Sequence, residues 1–293
     1  MKSNKNIHVF ILVITILLFF SCKKYLDMDI IDKGRKPVVN ALLIADSVPY
    51  IKVYQSTHIL DNSQSSLITN AEVLLTSNLQ NTYTLPYSSV SQQYINPSIN
   101  VHEGDKIKLN INTSIGNAET EVVIPSNISI FNIDTFPYYD HSGYQHGIEI
   151  KLSFKDPAQS KDYYILYTLN GPNVSTTSYE GNDPAIEEMS NRLFIDDLTF
   201  NGKQKNISLV FYNNFDMYSS NMLYICLMHV DENYYKYAYS VYKQQETGNS
   251  PFSEPVIVYN NIKNGYGIGG AANIFKHSID TSSILNRKKI NLK

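Results

Sequence analysis

Lys106-Ile-Lys-Leu-Asn-Ile111 (KIKLNI) alternates strictly, with Ile107, Leu109 and Ile111 apolar and Lys106, Lys108 and Asn110 polar. A period of two puts the first set on one face of an extended chain and the second on the other. That is the pattern of a strand with one face on a core and one in water. Glu103-Gly104-Asp105, just before it, is a tight-turn sequence. The same alternation is strongest at Ile148, Ile150, Leu152 and Phe154 against Glu149, Lys151 and Ser153, and Asp156-Pro157 ends that run.

Working outward, short strand-like runs separated by turn signals fill the chain from Pro37. The first half predicts strands at 38–44, 50–55, 71–76, 82–86, 106–112 and 118–124. The second half predicts them at 128–133, 148–154, 163–169, 207–212 and 223–230, with 256–259 and 271–276 closing the fold. Gly171 to Asn191 reads as a polar surface excursion. Strands at this spacing with no helix between them predict a mostly β fold. An N-terminal immunoglobulin-like β-sandwich (33–125) is followed by a second β domain (126–285), divided at Pro125-Ser126-Asn127. One segment departs from the pattern. DENYYKYAYSVYKQQ (231–245) lacks Gly and Pro and opens on Asp231 as an N-cap with Glu232 behind it. Tyr234, Ala238, Val241 and Tyr242 share a helical face, so this segment is expected as one α-helix packed on the second sheet; a tyrosine-rich strand is the competing reading.

The N-terminus carries a different message. Lys2 and Lys5 precede an apolar run, IHVFILVITILLFF (7–20), then Ser21 and Cys22. The run has signal-peptide length and is short for a membrane span. A small residue directly before a cysteine is the cleavage pattern of a lipoprotein signal peptidase. Residues 1–21 are therefore expected as a signal peptide, Cys22 as the lipidated residue and 22–32 as a polar tether. Acyl chains anchor at about 0.8 kcal/mol per buried methylene. The competing readings are an uncleaved N-terminal helix and an ordinary secretory signal.

Removal of residues 1–21 leaves 272 residues with 22 basic and 27 acidic side chains. No basic patch stands out beyond Arg287-Lys288-Lys289, which disfavours nucleic acid as a partner. Cys226 lies alone in the apolar run LYICLMHV, so no disulfide framework is expected. The 23 tyrosines in a chain without tryptophan accompany abundant Asn, Ile and Lys. That balance reflects genome composition as much as ligand stacking.

Three constellations have residue types that chemistry could use. Asp134, Asp140, His141 and His146 crowd one loop, but the His spacing is not a zinc motif and no further Cys or His is near. Gly265-Tyr-Gly-Ile-Gly-Gly270 lacks the strand–loop–helix setting and the Lys-Ser/Thr of a phosphate loop, and reads as a bulge or turn. Asp196/Asp197 and Glu187/Glu188 are adjacent pairs whose members point to opposite faces of a strand, unlike two carboxyls across a sugar. No Gly-x-Ser-x-Gly elbow occurs. The sequence predicts no catalytic residues, no cofactor and no metal: a non-enzyme.

The order of these features resembles a known family. Phe154-Lys155-Asp156-Pro157 precedes a tyrosine-led strand. The helix NYYKYAYSVYKQQ is followed by Asn249, Phe252 and Pro255, then Tyr259-Asn-Asn-Ile-Lys-Asn-Gly265. The chain resembles domain-of-unknown-function family 4249, uncharacterised lipoproteins of the Bacteroidetes, over about residues 25–279. It departs from the family pattern at Gly267-Ile268-Gly269-Gly270-Ala271, where a Gly-rich run containing Phe is usual. The resemblance implies an outer-membrane, lipid-anchored protein, facing either the cell surface or the periplasm. It also implies an accessory or docking role beside a TonB-dependent nutrient transporter. An autonomous glycan- or peptide-binding module and an envelope adhesion or scaffold protein are the alternatives.

Overall fold

The computed structural model describes residues 34–285 apart from 59, 62–63, 140–144, 172, 175–176, 213–221 and 249–253. The first half supplies β1 (Pro37–Ile44), β2 (Tyr50–Gln55), β3 (Glu72–Ser77), β4 (Asn81–Thr84), β5 (Tyr87–Ser88), β6 (Gln93–Ile95), β7 (Lys106–Thr113) and β8 (Gly116–Val123). The second supplies β9 (Ser129–Tyr139), β10 (Gln145–Lys155), β11 (Tyr163–Asn170), β12 (Asn173–Val174), β13 (Thr177–Tyr179), β14 (Ile186–Met189), β15 (Arg192–Asp196), β16 (Gln204–Tyr212) and β17 (Met222–Val230). Helix α1 (Glu232–Thr247), β18 (Tyr266–Asp280) and a short α2 (Ser282–Leu285) complete the described chain.

One ten-stranded sheet has the path β14-β15-β11-β17-β18-β1-β2-β6-β5, with β12 paired on β11. Two four-stranded sheets, β4-β3-β7-β8 and β13-β16-β10-β9, accompany it. The alternation in KIKLNI does what the sequence predicts: Ile107, Leu109 and Ile111 are buried against Val39, Ala41 and Leu43 of β1 and Val73 and Leu75 of β3. Likewise Ile148, Ile150, Leu152 and Phe154 pack on Tyr164, Leu166, Ile225 and Leu227. Residue parity along β18 relates these cores. Ala271 joins the first and Ile279 the second, two positions of the same face. The two small sheets thus lie side by side on one face of the large sheet.

The opposite face takes α1. Ala272, Met228, Val230, Ile165 and Phe194 meet Ala238 and the rings of Tyr234, Tyr235, Tyr239 and Tyr242. Tyr235, Tyr239 and Tyr242 surround Phe194 at 5.7, 5.7 and 5.9 Å between ring centroids. The buried stripe is wider than the sequence reading, and Val241 is not part of this cluster. Arg192 lies over Tyr242 at 4.4 Å and over Tyr167 at 5.8 Å. A guanidinium on aromatic faces is attracted to their electron density while its stem stays in apolar surroundings.

The chain from Arg35 onward forms one compact unit. The cores change over between Ile124 and Ile128, near the sequence-based division at 125. The reason for unity is β18, whose first half pairs in parallel with β1 (Val38↔Tyr266 to Ile44↔Ala272) and which pairs along its second half with β17. Parallel pairing of residues so distant in sequence leaves no local trace.

Two strand predictions need correction. Residues 256–259 form no strand, and 266–280 form one long strand rather than a short one at 271–276. The glycines explain the second error. Gly267 has φ +106° and a Cβ there would fall 2.1 Å from the Val39 carbonyl oxygen. A Cβ on Gly270 would fall 2.7 Å from Cβ of Tyr234 on α1. The glycine run is therefore a strand crossed closely by neighbours on both sides, not the turn its composition suggests. The 171–191 excursion likewise contains β12, β13 and β14.

Candidate functional site

The densest buried chemistry gathers where β10 ends, β11 begins and the 197–202 turn meets β17. Asp156, Asp162 and Asp197 are 1, 5 and 2% exposed, and His229 is 4% exposed. Groups this polar are buried only when their hydrogen bonds are met inside. Asp156 accepts from Tyr164 Oη (2.7 Å) and from the Gly202 N–H (2.8 Å). Asp197 accepts from the Asp162 N–H and from Asn201 Nδ2, each at 3.0 Å. Asp162 accepts from Ser160 Oγ (2.8 Å) and faces His229 Nε2 at 2.7 Å. The other ring nitrogen, Nδ1, lies 2.9 Å from the Ser126 carbonyl oxygen. A carbonyl only accepts, so Nδ1 carries a hydrogen and His229 ties the 125–128 crossover to β17. Tyr164 stacks on the imidazole at 4.9 Å.

Burial raises the Asp156 carboxyl above the usual carboxylate range, reinforced by the charges of Asp162 and Asp197. Burial also drives the Tyr164 hydroxyl far up, so it stays a donor to Asp156. Each of the three aspartates offers a carboxylate oxygen within 4.8 Å of the others, the kind of convergence a hard cation uses. Here those carboxylates accept hydrogen bonds from the surrounding loops, and the cluster acts as a knot joining three segments.

A second region is open to solvent. The outer edge of β8 faces the start of α1 across a cleft. One cavity of about 300 Å³ is lined by Leu79, Ile107, Val122 and Val123 opposite Asp231, Glu232 and Asn233. A smaller one of about 210 Å³ is lined by Glu119, Thr120, Glu121, Asn233, Asn261 and Lys263. Thr120 is buried there with no partner for its hydroxyl among the described residues. Lys108 pairs with Glu119 (3.3 Å) and Glu121 (3.5 Å), and Lys263 with Glu119 (3.0 Å), so the charges of the floor are already matched. Asp231 caps α1 by accepting from the Tyr234 N–H at 3.1 Å.

The residues singled out from sequence fall as follows. Cys22, the tether 22–32, Asp140 and His141 lie outside the described residues, as does the side chain of His146. Asp134 is on β9, opposite Lys151 and accepting from Asn132. The pairs diverge: Glu187 accepts from Tyr239 Oη and Glu188 from the Tyr179 N–H, while Asp196 accepts from the Leu198 N–H and Asp197 enters the buried knot. Asp197 is thus buried, whereas its neighbour Asp196 is not. Cys226 is buried on β17, and burial pushes its thiol up. Sequence reading missed Asp156, Asp162 and His229 as a group. The one available signal was Phe-Lys-Asp-Pro, noted as a strand end rather than as the donor of a buried carboxylate.

Residues 23–278 match the family model described as Domain of unknown function (DUF4249). The chain belongs to this family. No curated protein matches it. Membership thus covers both the knot and the β8 cleft, and it assigns an activity to neither.

Proposed function

We propose that this DUF4249 protein is a non-catalytic lipoprotein of the outer membrane, held by acyl chains on Cys22 and acting as an accessory or docking subunit of a TonB-dependent nutrient transporter. The observation that carries the reading is the order of parts: a charged and apolar leader, Ser21-Cys22, a short polar segment, and then a β body of this family starting near Arg35. Two features of the body support a docking role over a catalytic one. The acidic cluster is occupied by its own hydrogen bonds. Exposed apolar residues also sit at sheet edges and turns, Leu79 in the β3–β4 turn, Val123 on β8, and Phe131, Phe136 and Tyr139 on β9. Four helix tyrosines, Tyr234, Tyr235, Tyr239 and Tyr242, are packed inward, so exposed apolar contact area falls to these edges.

Purification from native membranes through a C-terminal tag tests the docking half. Recovery of a stoichiometric TonB-dependent transporter, lost on Cys22→Ala, is the expected result. A protein that elutes alone from mild detergent, whatever its tag position, contradicts it.

A further inference from the structure

β8 closes one side of its sheet, and its outward backbone groups are only partly used. Glu119 exchanges both main-chain hydrogen bonds with Lys263, at 3.2 and 2.9 Å, in an antiparallel bridge. Direction alternates along such a strand, so the N–H and C=O of Glu121 and Val123 point the same way as those of Glu119. Ile124, of opposite parity, bonds inward to Asp105 and Gly104 at 2.9 Å each, which fixes the phase. Past the bridge the neighbouring segment leaves the edge, because Asn261 turns its side chain to the Gly269 N–H and C=O (3.0 and 2.7 Å). Glu121 and Val123 therefore border the cleft described above, where the two cavities meet at Glu121 and Asn233.

We propose that this edge takes an extended peptide segment of a partner protein as an added strand, antiparallel to β8 and in line with Lys263. It would bond through its main chain to Glu121 and Val123. The inference deepens the docking reading and rests on it, since it names the chemistry of the partner. Backbone groups repeating every second residue match only another extended chain. Lys108, Glu119, Glu121 and Lys263 are paired among themselves, and the remaining lining charges are of both signs, Lys106 against Asp231 and Glu232, so the site favours neither a polyanion nor a polycation. Among the described residues no aromatic ring lines either cavity, which gives a sugar no stacking face there. Leu79 and Val123, 80 and 50% exposed, stand at the mouth to receive an apolar side chain.

The test uses the full chain and an uncharged, end-capped peptide of about ten residues alternating valine and serine. Amide exchange and binding are read on the wild type, Glu121→Pro, Val123→Pro and Leu79→Ser. Proline at 121 or 123 removes an outward N–H that serves no bond among the described residues, so the fold is retained at a sheet edge. The peptide should slow exchange at Glu121 and Val123, and each proline should weaken binding about tenfold or more. Leu79→Ser, which leaves the backbone untouched, should weaken it also and covers the case of a proline variant that does not fold. No binding, equal binding to folded proline variants, or protection at β9 instead would overturn the proposal. Transporter co-purification from the same variants separates the two readings. A transporter retained by both proline variants defeats the edge and leaves docking intact. Peptide bound at the edge of a protein that captures no transporter defeats docking alone.

Discussion

Asp231 and Ala271 are bonded to each other in both directions: the Asp231 N–H donates to the Ala271 carbonyl at 3.0 Å, and the Ala271 N–H donates to the Asp231 carboxylate at 2.9 Å. The same carboxylate caps α1 through the Tyr234 N–H. One side chain thus fixes where the helix begins and which strand it lies on. Asp231→Ala should lower stability by about 2–3 kcal/mol, the sum of a lost cap and an orphaned buried N–H. Asp231→Asn, which keeps the one oxygen (Oδ1) that accepts both bonds, should lose far less in urea unfolding. Equal losses would mean that the bonds contribute little.

The same residue sets a pH dependence. Burial pushes its carboxyl from the ordinary carboxylate range up to about 6, against the backbone donors that lower it. The folded state therefore binds the proton more tightly than the unfolded chain. The contribution is largest below about pH 4 and declines as pH rises through about 6. Relative to Asp231→Asn, the wild type should lose on the order of 2 kcal/mol between pH 4 and 7. A difference that stays flat over that range contradicts the assignment.

The buried knot should respond as one unit. His229→Ala or Asp162→Ala should each cost about 3–5 kcal/mol, because either leaves a polar partner stranded in the core. The double variant should cost less than the two together. Strict additivity in a double-mutant cycle would show that the 2.7 Å contact carries no coupling.

The close crossing at the glycine run makes a separate prediction. Gly270→Ala brings a methyl to 2.7 Å from Cβ of Tyr234, an atom attached directly to the α1 backbone. Overpacking of this kind costs about 1–3 kcal/mol. Near-ultraviolet dichroism should lose tyrosine signal as α1 shifts, and an unchanged spectrum with an unchanged melting point would refute the packing described.

Much of this fold was legible residue by residue, and the reason is local. KIKLNI and the 148–154 run reveal their buried faces because a strand with one wet side must alternate, and α1 announces itself by Asp231 and an unbroken run of helix-compatible residues. The parallel match of β1 with β18 was not legible, since its partners are separated by almost the whole chain and Gly269-Gly270 has no side chain to alternate. β15 was missed because Leu193, Phe194 and Ile195 are buried on both faces, between the second core and α1, and show no period. The knot was invisible for another reason. Asp156, Asp162, Asp197 and His229 sit on separate segments, and only the packing of the two sheets brings them together.

The central claim is that Cys22 carries the chain to the membrane, and intact-mass spectrometry of the mature protein from native membranes tests it most directly. The account predicts a polypeptide starting at Cys22 with added mass equal to a diacylglyceryl group and an amide-linked acyl chain, or to the diacylglyceryl group alone. A mature chain with a bare N-terminus, or one retaining residues 1–21, would contradict it.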